Sequence, residues 1–329
     1  MTMGAVAEFR RVFSAGPAER GRKISPARAF RLGLAVHRVE VLPLGAGVMA
    51  ASVVVSSHSW NEVLSVRMLV TIIMLTAYVL LTNVVNCLAD RWLDADFKSR
   101  LSRAVGDLGV RRVRRLVFGW VAVIAVCLIW LVATTGHLDL VLVLGIGVAL
   151  AFQYSLPPLH LKGAGAWQIP TVLVMVTLLP GLALVRTYDR PLEWPALLAI
   201  VGLALTVNSV FIVNAAEDVP EDAEHSIVTA PRAIGIFPAF AIGLGQLVAG
   251  AAVFCVATFP AAGFSWTYIP YLAAVAVGVV YLGRLLAGVR GQPLAAAIDV
   301  VRRAKSFAVV AMLLSWATVF PAAAVFANR

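Results

Sequence analysis

Nine long apolar segments separated by polar loops restrict what this chain can fold into. They cover residues 40–57, 66–88, 116–135, 139–155, 168–187, 195–214, 234–258, 267–287 and 306–327. Most approach the roughly 20 residues that a helix needs to cross a bilayer, where every backbone polar group must be satisfied internally. Only 13% of the 329 residues are charged, against about 25% in soluble domains. We therefore predict an all-α, polytopic membrane bundle of nine transmembrane helices over residues 39–329.

Basic residues alternate from loop to loop and predict the orientation of the bundle. Most lie in the segments 1–38, 89–115, 156–167, 215–233 and 288–305, which the positive-inside rule places in the cytoplasm. Residues 1–38 form an Arg-rich cytoplasmic tail in this prediction, with no cleavable signal and with a short amphipathic helix on the membrane. The net charge of +10 is accounted for by such loops and by anionic lipid. We expect membrane lipid as a partner and no nucleic acid.

The pattern Asn-x3-Asp-x3-Asp occurs twice, each time at the end of an apolar segment. On a helix these spacings place three side chains along one face, and both copies fall on the predicted cytoplasmic side. The two copies are Asn86, Asp90 and Asp94, and then Asn214, Asp218 and Asp222.

Clustered carboxylates need cations. Two such groups 4 Å apart repel by about 4 kcal/mol at an intermediate dielectric. Hard oxygen ligands favour Mg2+, which binds through a few carboxylates and the phosphates of a substrate. The repeated motif therefore indicates a Mg2+ site suited to bind a diphosphate, the alternative being two solvated acidic loops.

Basic and aromatic residues near the motifs are candidates to bind the diphosphate. Lys98 and Arg103 follow the first motif, and Lys162 lies in the next predicted inner loop. Such cations would offset charge on a departing diphosphate. Tyr154, just before the prolines that end its helix, could face a carbocation or simply anchor the helix at the interface.

Three segments together resemble the UbiA superfamily of intramembrane prenyltransferases: NCLADRWLDADFKSRLSRAV, YSLPPLHLK and DVPEDAEHSIVTAPRAIG. The resemblance implies helices around a central cavity, and its metal-binding positions match Asn86, Asp90, Asp94, Asp218 and Asp222. Asn214 belongs to the second motif and is our sixth candidate ligand. It places Lys98, Arg103, Tyr154 and Lys162 near the diphosphate. Arg38 resembles the basic residue often found at the start of the first helix.

Two departures from the family pattern concern the first motif. Cys87 replaces the acid of an Asn-Asp pair, and Arg103-Ala-Val replaces Arg-Pro-Leu. Position 87 lies about 100° around the helix from Asn86. It should therefore point away from the shared face, and we expect Ser or Asp to be tolerated there.

The resemblance implies transfer of a prenyl group from an isoprenoid diphosphate to an aromatic or other lipophilic acceptor. One alternative is a membrane terpene cyclase, in which an internal double bond captures the cation. A less favoured one is an ion-coupled transporter, whose acids would lie near the bilayer midplane. The expected location is the cell membrane, with the active-site loops in the cytoplasm.

Overall fold

Helices make up the regular structure of this protein. The computed structural model describes residues 3–14, 16, 19, 21–92, 99–188, 192–304 and 306–329. Within those ranges the nine predicted apolar segments are all helical, and eight are long enough to cross a membrane; α4, with 17 residues, is shorter. They are α1 Val39–Ser56, α2 Val66–Ala89, α3 Val110–Thr135, α4 Asp139–Ser155, α5 Gly165–Val185, α6 Trp194–Glu217, α7 Ile236–Ala262, α8 Tyr268–Val289 and α9 Phe307–Ala327.

The bundle has two packed halves. Helices α2, α3 and α4 share one hydrophobic core, and α6 to α9 share a second core with α1. Helix α5 contacts both α4 and α6 and so joins the halves. Even-numbered helices end on the side of the bundle where both Asn-x3-Asp-x3-Asp motifs lie, which we call the motif side.

Helices α6 and α7 pack almost backbone to backbone. A Cβ at Gly202 would lie 2.5 Å from the backbone nitrogen of Phe254, and one at Gly250 would lie 2.6 Å from that of Thr206. Small residues permit such close approach of membrane helices. The contact fixes α6 inside the bundle and thereby positions the second motif at its end.

Helix α5 is irregular where it crosses the bundle. A π-helical turn, Val174–Leu178, separates the α-helical pieces Gln168–Leu173 and Leu179–Val185. Pro180 has no N–H to donate, which leaves a carbonyl of the preceding turn without its helical partner. The Tyr78 hydroxyl of α2 lies 3.0 Å from the Met175 carbonyl oxygen and supplies a donor there.

The N-terminal segment folds onto the motif side. It contains the helices Met3–Phe13 and Pro26–Val36, while its predicted place in the cytoplasm and on the membrane stays a prediction. The second packs on the helix Ser99–Leu108, where Arg22 and Arg28 pair with Asp107 at 3.4 and 2.7 Å. The buried Arg91 anchors the first helix near the first motif by donating to the Arg11 carbonyl at 3.4 Å, and it pairs with Glu19 of the following segment at 2.7 Å.

Candidate functional site

Both motifs place a carboxylate at a helix C-terminus. Asp90 is the residue that caps α2, and Asp218 is the residue that caps α6. A helix C-terminus carries a partial negative charge, so an acid there is unfavourable without a cation. A cation near these two carboxylates would therefore be stabilising.

In the first motif, Asn86 orients Asp90. The Asn86 Nδ2 group donates to Asp90 Oδ2 at 2.9 Å and to Ser155 Oγ of α4 at 3.1 Å. Asp90 is only 6% exposed. The remaining predicted members of this region, Asp94 and Lys98, lie outside the described residues, and their roles stay predictions.

The second motif departs from the single helix that its spacing suggests. Helix α6 ends at Glu217, and a separate short helix, Val219–Glu224, carries Asp222. Pro220 explains the break, because it lacks the N–H that would continue the helical ladder. Arg232 closes the following loop by donating to the backbone carbonyls of Asp222, at 2.9 Å, and of Ile227.

Lys162 joins the two motifs. Its ammonium lies 3.0 Å from Asp90 Oδ2 and 3.6 Å from Asp222 Oδ1, with all three side chains largely buried. Burial alone would lower the pKa of this lysine, but the carboxylates of Asp90 and Asp222 outweigh it, and the pKa of Lys162 is raised. Lys162 therefore stays charged at neutral pH and offsets part of the negative charge that gathers near the two helix ends.

One cavity collects most of the predicted site residues. It holds about 180 Å³ between the two halves of the bundle. Its lining includes Arg38, Asn86, Asp90, Tyr154, Lys162, Asn214, Asp218 and Asp222. Arg103 is exposed on the helix Ser99–Leu108 and does not line this cavity, so its predicted contact with a diphosphate has no support from this geometry.

Several amide side chains line the cavity but belong to neither motif, and the sequence analysis did not predict them. Gln168 donates to the Tyr154 hydroxyl at 3.2 Å and accepts from the Ala230 backbone N–H at 2.9 Å. Deeper in the bundle, Asn208 of α6 donates to Gln246 of α7 at 3.2 Å. The available signal was a polar residue inside an apolar segment, which commonly faces a functional cavity.

Arg38 enters the cavity from a strained backbone. Its φ of 49° is in the left-handed region, which is unusual for a residue other than glycine. The preceding His37 is held by Trp120, whose indole N–H donates to Nε2 at 2.8 Å, and by Asn83, which donates to its carbonyl at 3.0 Å. Within the described residues, the buried Arg38 Nε finds no acceptor, which suits a site for an anion.

A second, largely apolar cavity of about 360 Å³ adjoins the first. The two share Arg38, Asn83, Met175, Phe211 and Asn214 in their linings. From there the second cavity extends along α1, α2, α5, α6 and α9, past Leu75, Val207 and Met312, to the exposed Val309. The polar cavity thus adjoins an apolar passage whose lining extends to the outer surface of the bundle.

The donors in the polar cavity fit a hard divalent cation. Among the described residues no three His, Cys, Asp or Glu side chains form a compact ligand group. Nevertheless, Asp90, Asp218 and Asp222 line one space together with the amides Asn86 and Asn214. This all-oxygen set suits Mg2+, which takes few protein ligands when phosphates supply the others.

These features define a class: a polytopic helical membrane protein with a carboxylate-rich cavity at one end. The chain belongs to the UbiA prenyltransferase family, whose characteristic sequence matches residues 41–301. The resemblance inferred from the motifs is thereby confirmed. No curated protein sequence matches the chain significantly.

Solved structures share the fold. A UbiA homologue from Archaeoglobus fulgidus bound to GPP and Mg2+ aligns with a TM-score of 0.56 and 13% identity, covering 88% of this chain and 99% of the homologue. Its complex with DMAPP and Mg2+ aligns with a TM-score of 0.57 and 15% identity, covering 87% of this chain and 98% of the homologue. A digeranylgeranylglyceryl phosphate synthase aligns with a TM-score of 0.61 and 14% identity, covering 90% of this chain and 99% of the synthase. At these identities the likeness establishes the fold.

Proposed function

We propose that this protein is a Mg2+-dependent intramembrane prenyltransferase that moves a prenyl group from an isoprenoid diphosphate to an aromatic or other lipophilic acceptor. The observation that carries the proposal is the convergence of both motifs and Lys162 on one cavity that continues into an apolar passage. Family membership and the prenyl diphosphates and Mg2+ bound to the Archaeoglobus fulgidus homologue support it.

The polar cavity would hold the diphosphate. Mg2+ would be held by the motif carboxylates and amides, with Asp94 included by the family resemblance, and when bound it would neutralise charge on the leaving group. In this proposal Lys162 and Arg38, which are distant in the sequence but line the same cavity, donate hydrogen bonds to phosphate oxygens. The apolar passage takes the prenyl chain, whose burial is favourable at about 25 cal/mol per Å² of apolar surface.

The chemistry then follows from charge placement. The bond between C1 and oxygen breaks and its electron pair leaves with the diphosphate, which Lys162 and Arg38 stabilise. An electron-rich acceptor carbon donates a pair to the allylic cation, and the new bond is completed by loss of a proton from the acceptor. The ring of Tyr154, oriented by Gln168, can stabilise the cation through its π face.

The cyclase alternative remains within the same fold and is motivated by Cys87 in the first motif. In that case an internal double bond of the prenyl chain supplies the electron pair. An ion-coupled transporter is less well supported, because Asp90 and Asp218 lie at helix ends on one side of the bundle rather than inside the spans. We place the protein in the cell membrane with the motif side in the cytoplasm.

Single substitutions test the metal site. Asp90→Ala, Asp94→Ala, Asp218→Ala and Asp222→Ala should each reduce turnover at least about 100-fold, because several kcal/mol of barrier lowering depend on the metal. Asp139→Ala is the matched control, since Asp139 pairs with Arg186 at 2.6 Å at the opposite end of the bundle.

The assay would use purified protein, Mg2+, a set of prenyl diphosphates and host lipid extract, with products identified by mass spectrometry. Full activity in EDTA, or in any two of the four variants, would rule the metal site out. A hydrocarbon or alcohol formed from the prenyl diphosphate alone would identify a cyclase.

A further inference from the structure

A basic, apolar-walled groove lies on the outer surface of the bundle and is separate from the cavity of the candidate site. It has a volume of about 730 Å³ and is formed by α8, the helix Leu294–Arg303 and the start of α9. Its walls are apolar and include Val277, Val280 and Val300. Two guanidinium groups, Arg284 and Arg303, line the same groove.

The position of Arg284 is unusual for a charged residue. It lies five residues before the motif-side end of α8 at Val289 and is exposed on the outside of the bundle. That places its Cα about 7 Å inside the helix end, at 1.5 Å per residue. An arginine facing lipid at this depth is costly unless its head reaches the phosphate layer.

The second arginine comes from an element that lies beside the membrane span. The helix Leu294–Arg303 buries Ala297 and Val301 against the bundle and ends with two arginines, Arg302 and Arg303. Only Arg303 of these two lines the groove. Across the part of the chain that the structure describes, no carboxylate pairs with Arg284 or Arg303, so both remain available to an anion.

We propose that this groove binds one anionic phospholipid. Its phosphate would contact Arg284 and Arg303, and one acyl chain would lie along Val277 and Val280 toward the membrane interior. Basic pockets between membrane helices bind acidic headgroups in this way. The groove thus combines the two features that distinguish an anionic lipid from free phosphate.

The proposed lipid site borders the second motif. The helix Leu294–Arg303 packs on the terminal piece of α6, Phe211–Glu217, which carries Asn214. Tyr281, in the groove wall, donates to the Ala304 carbonyl at 3.0 Å and so ties α8 to the end of that helix. A bound lipid would therefore hold the helix Leu294–Arg303 in place behind the motif.

Native mass spectrometry of the full chain tests the proposal with phosphatidylglycerol and phosphatidylcholine of identical acyl chains. We expect one phosphatidylglycerol to stay bound and phosphatidylcholine to be lost. The double variant Arg284→Gln/Arg303→Gln should reduce the lipid-bound fraction at least tenfold. Arg290→Gln/Arg302→Gln changes charge equally, but neither residue lines the groove, and this control should retain the lipid.

Further measurements distinguish between the possible occupants of the groove. Val280→Trp should displace the lipid without any change of charge, because it fills the path of the acyl chain. Amide exchange over residues 294–304 should slow when phosphatidylglycerol is added to the wild type. Equal retention of both lipids, equal loss in both double variants, or displacement by millimolar glycerol 3-phosphate would overturn the proposal. So would a dimer whose interface covers the groove in place of lipid.

Discussion

At the residue scale, Lys162 is the side chain on which the two motifs depend. It lies between Asp90 and Asp222, which come from opposite halves of the bundle. Two buried carboxylates facing each other would be strongly unfavourable alone. The lysine allows them to share one cavity, and under the proposed function it would also donate to phosphate oxygens.

Lys162→Gln should therefore lower turnover by about 100- to 1,000-fold, the range found when one preorganised donor to developing charge is removed. Lys162→Arg keeps the charge and should retain more activity. The measurement is Mg2+-dependent diphosphate release from geranyl diphosphate, alongside thermal unfolding. Equal losses in both variants, each with a lowered Tm, would indicate a purely structural role.

Cys87 illustrates how burial changes an expectation based on helical geometry. Its side chain is 1% exposed and belongs to the hydrophobic core of α2 to α4, so it does point away from the cavity. Cys87→Ser should leave Mg2+ dependence and product unchanged and cost about 1 kcal/mol of stability, because the hydroxyl can bond to a carbonyl one turn earlier.

Cys87→Asp, which helical spacing alone suggested would be tolerated, should instead destabilise the fold, since it buries an acid in that core. Thermal unfolding and product analysis of both variants provide the check. A stable Cys87→Asp protein that transfers a prenyl group where the native chain cyclises would contradict this and make position 87 a selector of reaction type.

At the element scale, the placement of the second motif depends on how closely α6 and α7 approach. Gly202 and Gly250 allow that approach, and Asn208 with Gln246 adds a hydrogen bond further along the same interface. Any substitution that separates these helices should also displace Asn214 and Asp218, which extend from α6.

Gly250→Ala should thus destabilise the protein by about 1–3 kcal/mol, the usual cost of overpacking, and should also weaken Mg2+-dependent binding of geranyl diphosphate. Gly245→Ala, on the same helix with open space around it, should be neutral or slightly stabilising, since alanine is the better helix former. Unfolding in detergent and ligand binding would be measured for both. Matching behaviour of the two variants would refute the close-packing argument.

At the scale of the whole molecule, the cavity lies between two halves that each have their own core. Helix α5 joins them through an irregular π-helical turn, and Met175 within that turn lines both cavities. The N-terminal helices cover the motif side through the ion pairs of Arg91 and Asp107.

Topology is a testable property of the whole chain. The loops 89–115 and 215–233 should both face the cytoplasm and the C-terminus should lie outside, as basic bias predicts. In a background without Cys87, Cys127 and Cys255, the exposed positions of Arg100→Cys and Glu224→Cys should resist an impermeant thiol reagent in intact cells. Asn61→Cys, exposed at the opposite end, should be labelled. Labelling at position 100 or 224 would overturn the orientation.

Helices α1 to α9 and both motifs could be predicted from the sequence because they depend on local properties. A bilayer requires each span to satisfy its own backbone hydrogen bonds and to present apolar side chains, so hydropathy alone located α1 to α9. The spacing of Asn, Asp and Asp likewise predicted four acids at a common site. Asp90, Asp218 and Asp222 line one cavity, Asp94 lies outside the described residues, and their role in binding a metal stays a prediction.

Long-range packing decided the rest. The sequence did not distinguish Lys162, which bridges two carboxylates, from Arg103, which lies outside the cavity, because both are basic residues in polar loops near a motif. Gln168, Asn208 and Gln246 acquire their positions only when α4, α5, α6 and α7 meet. Such contacts join residues far apart in the chain, and no local spacing records them.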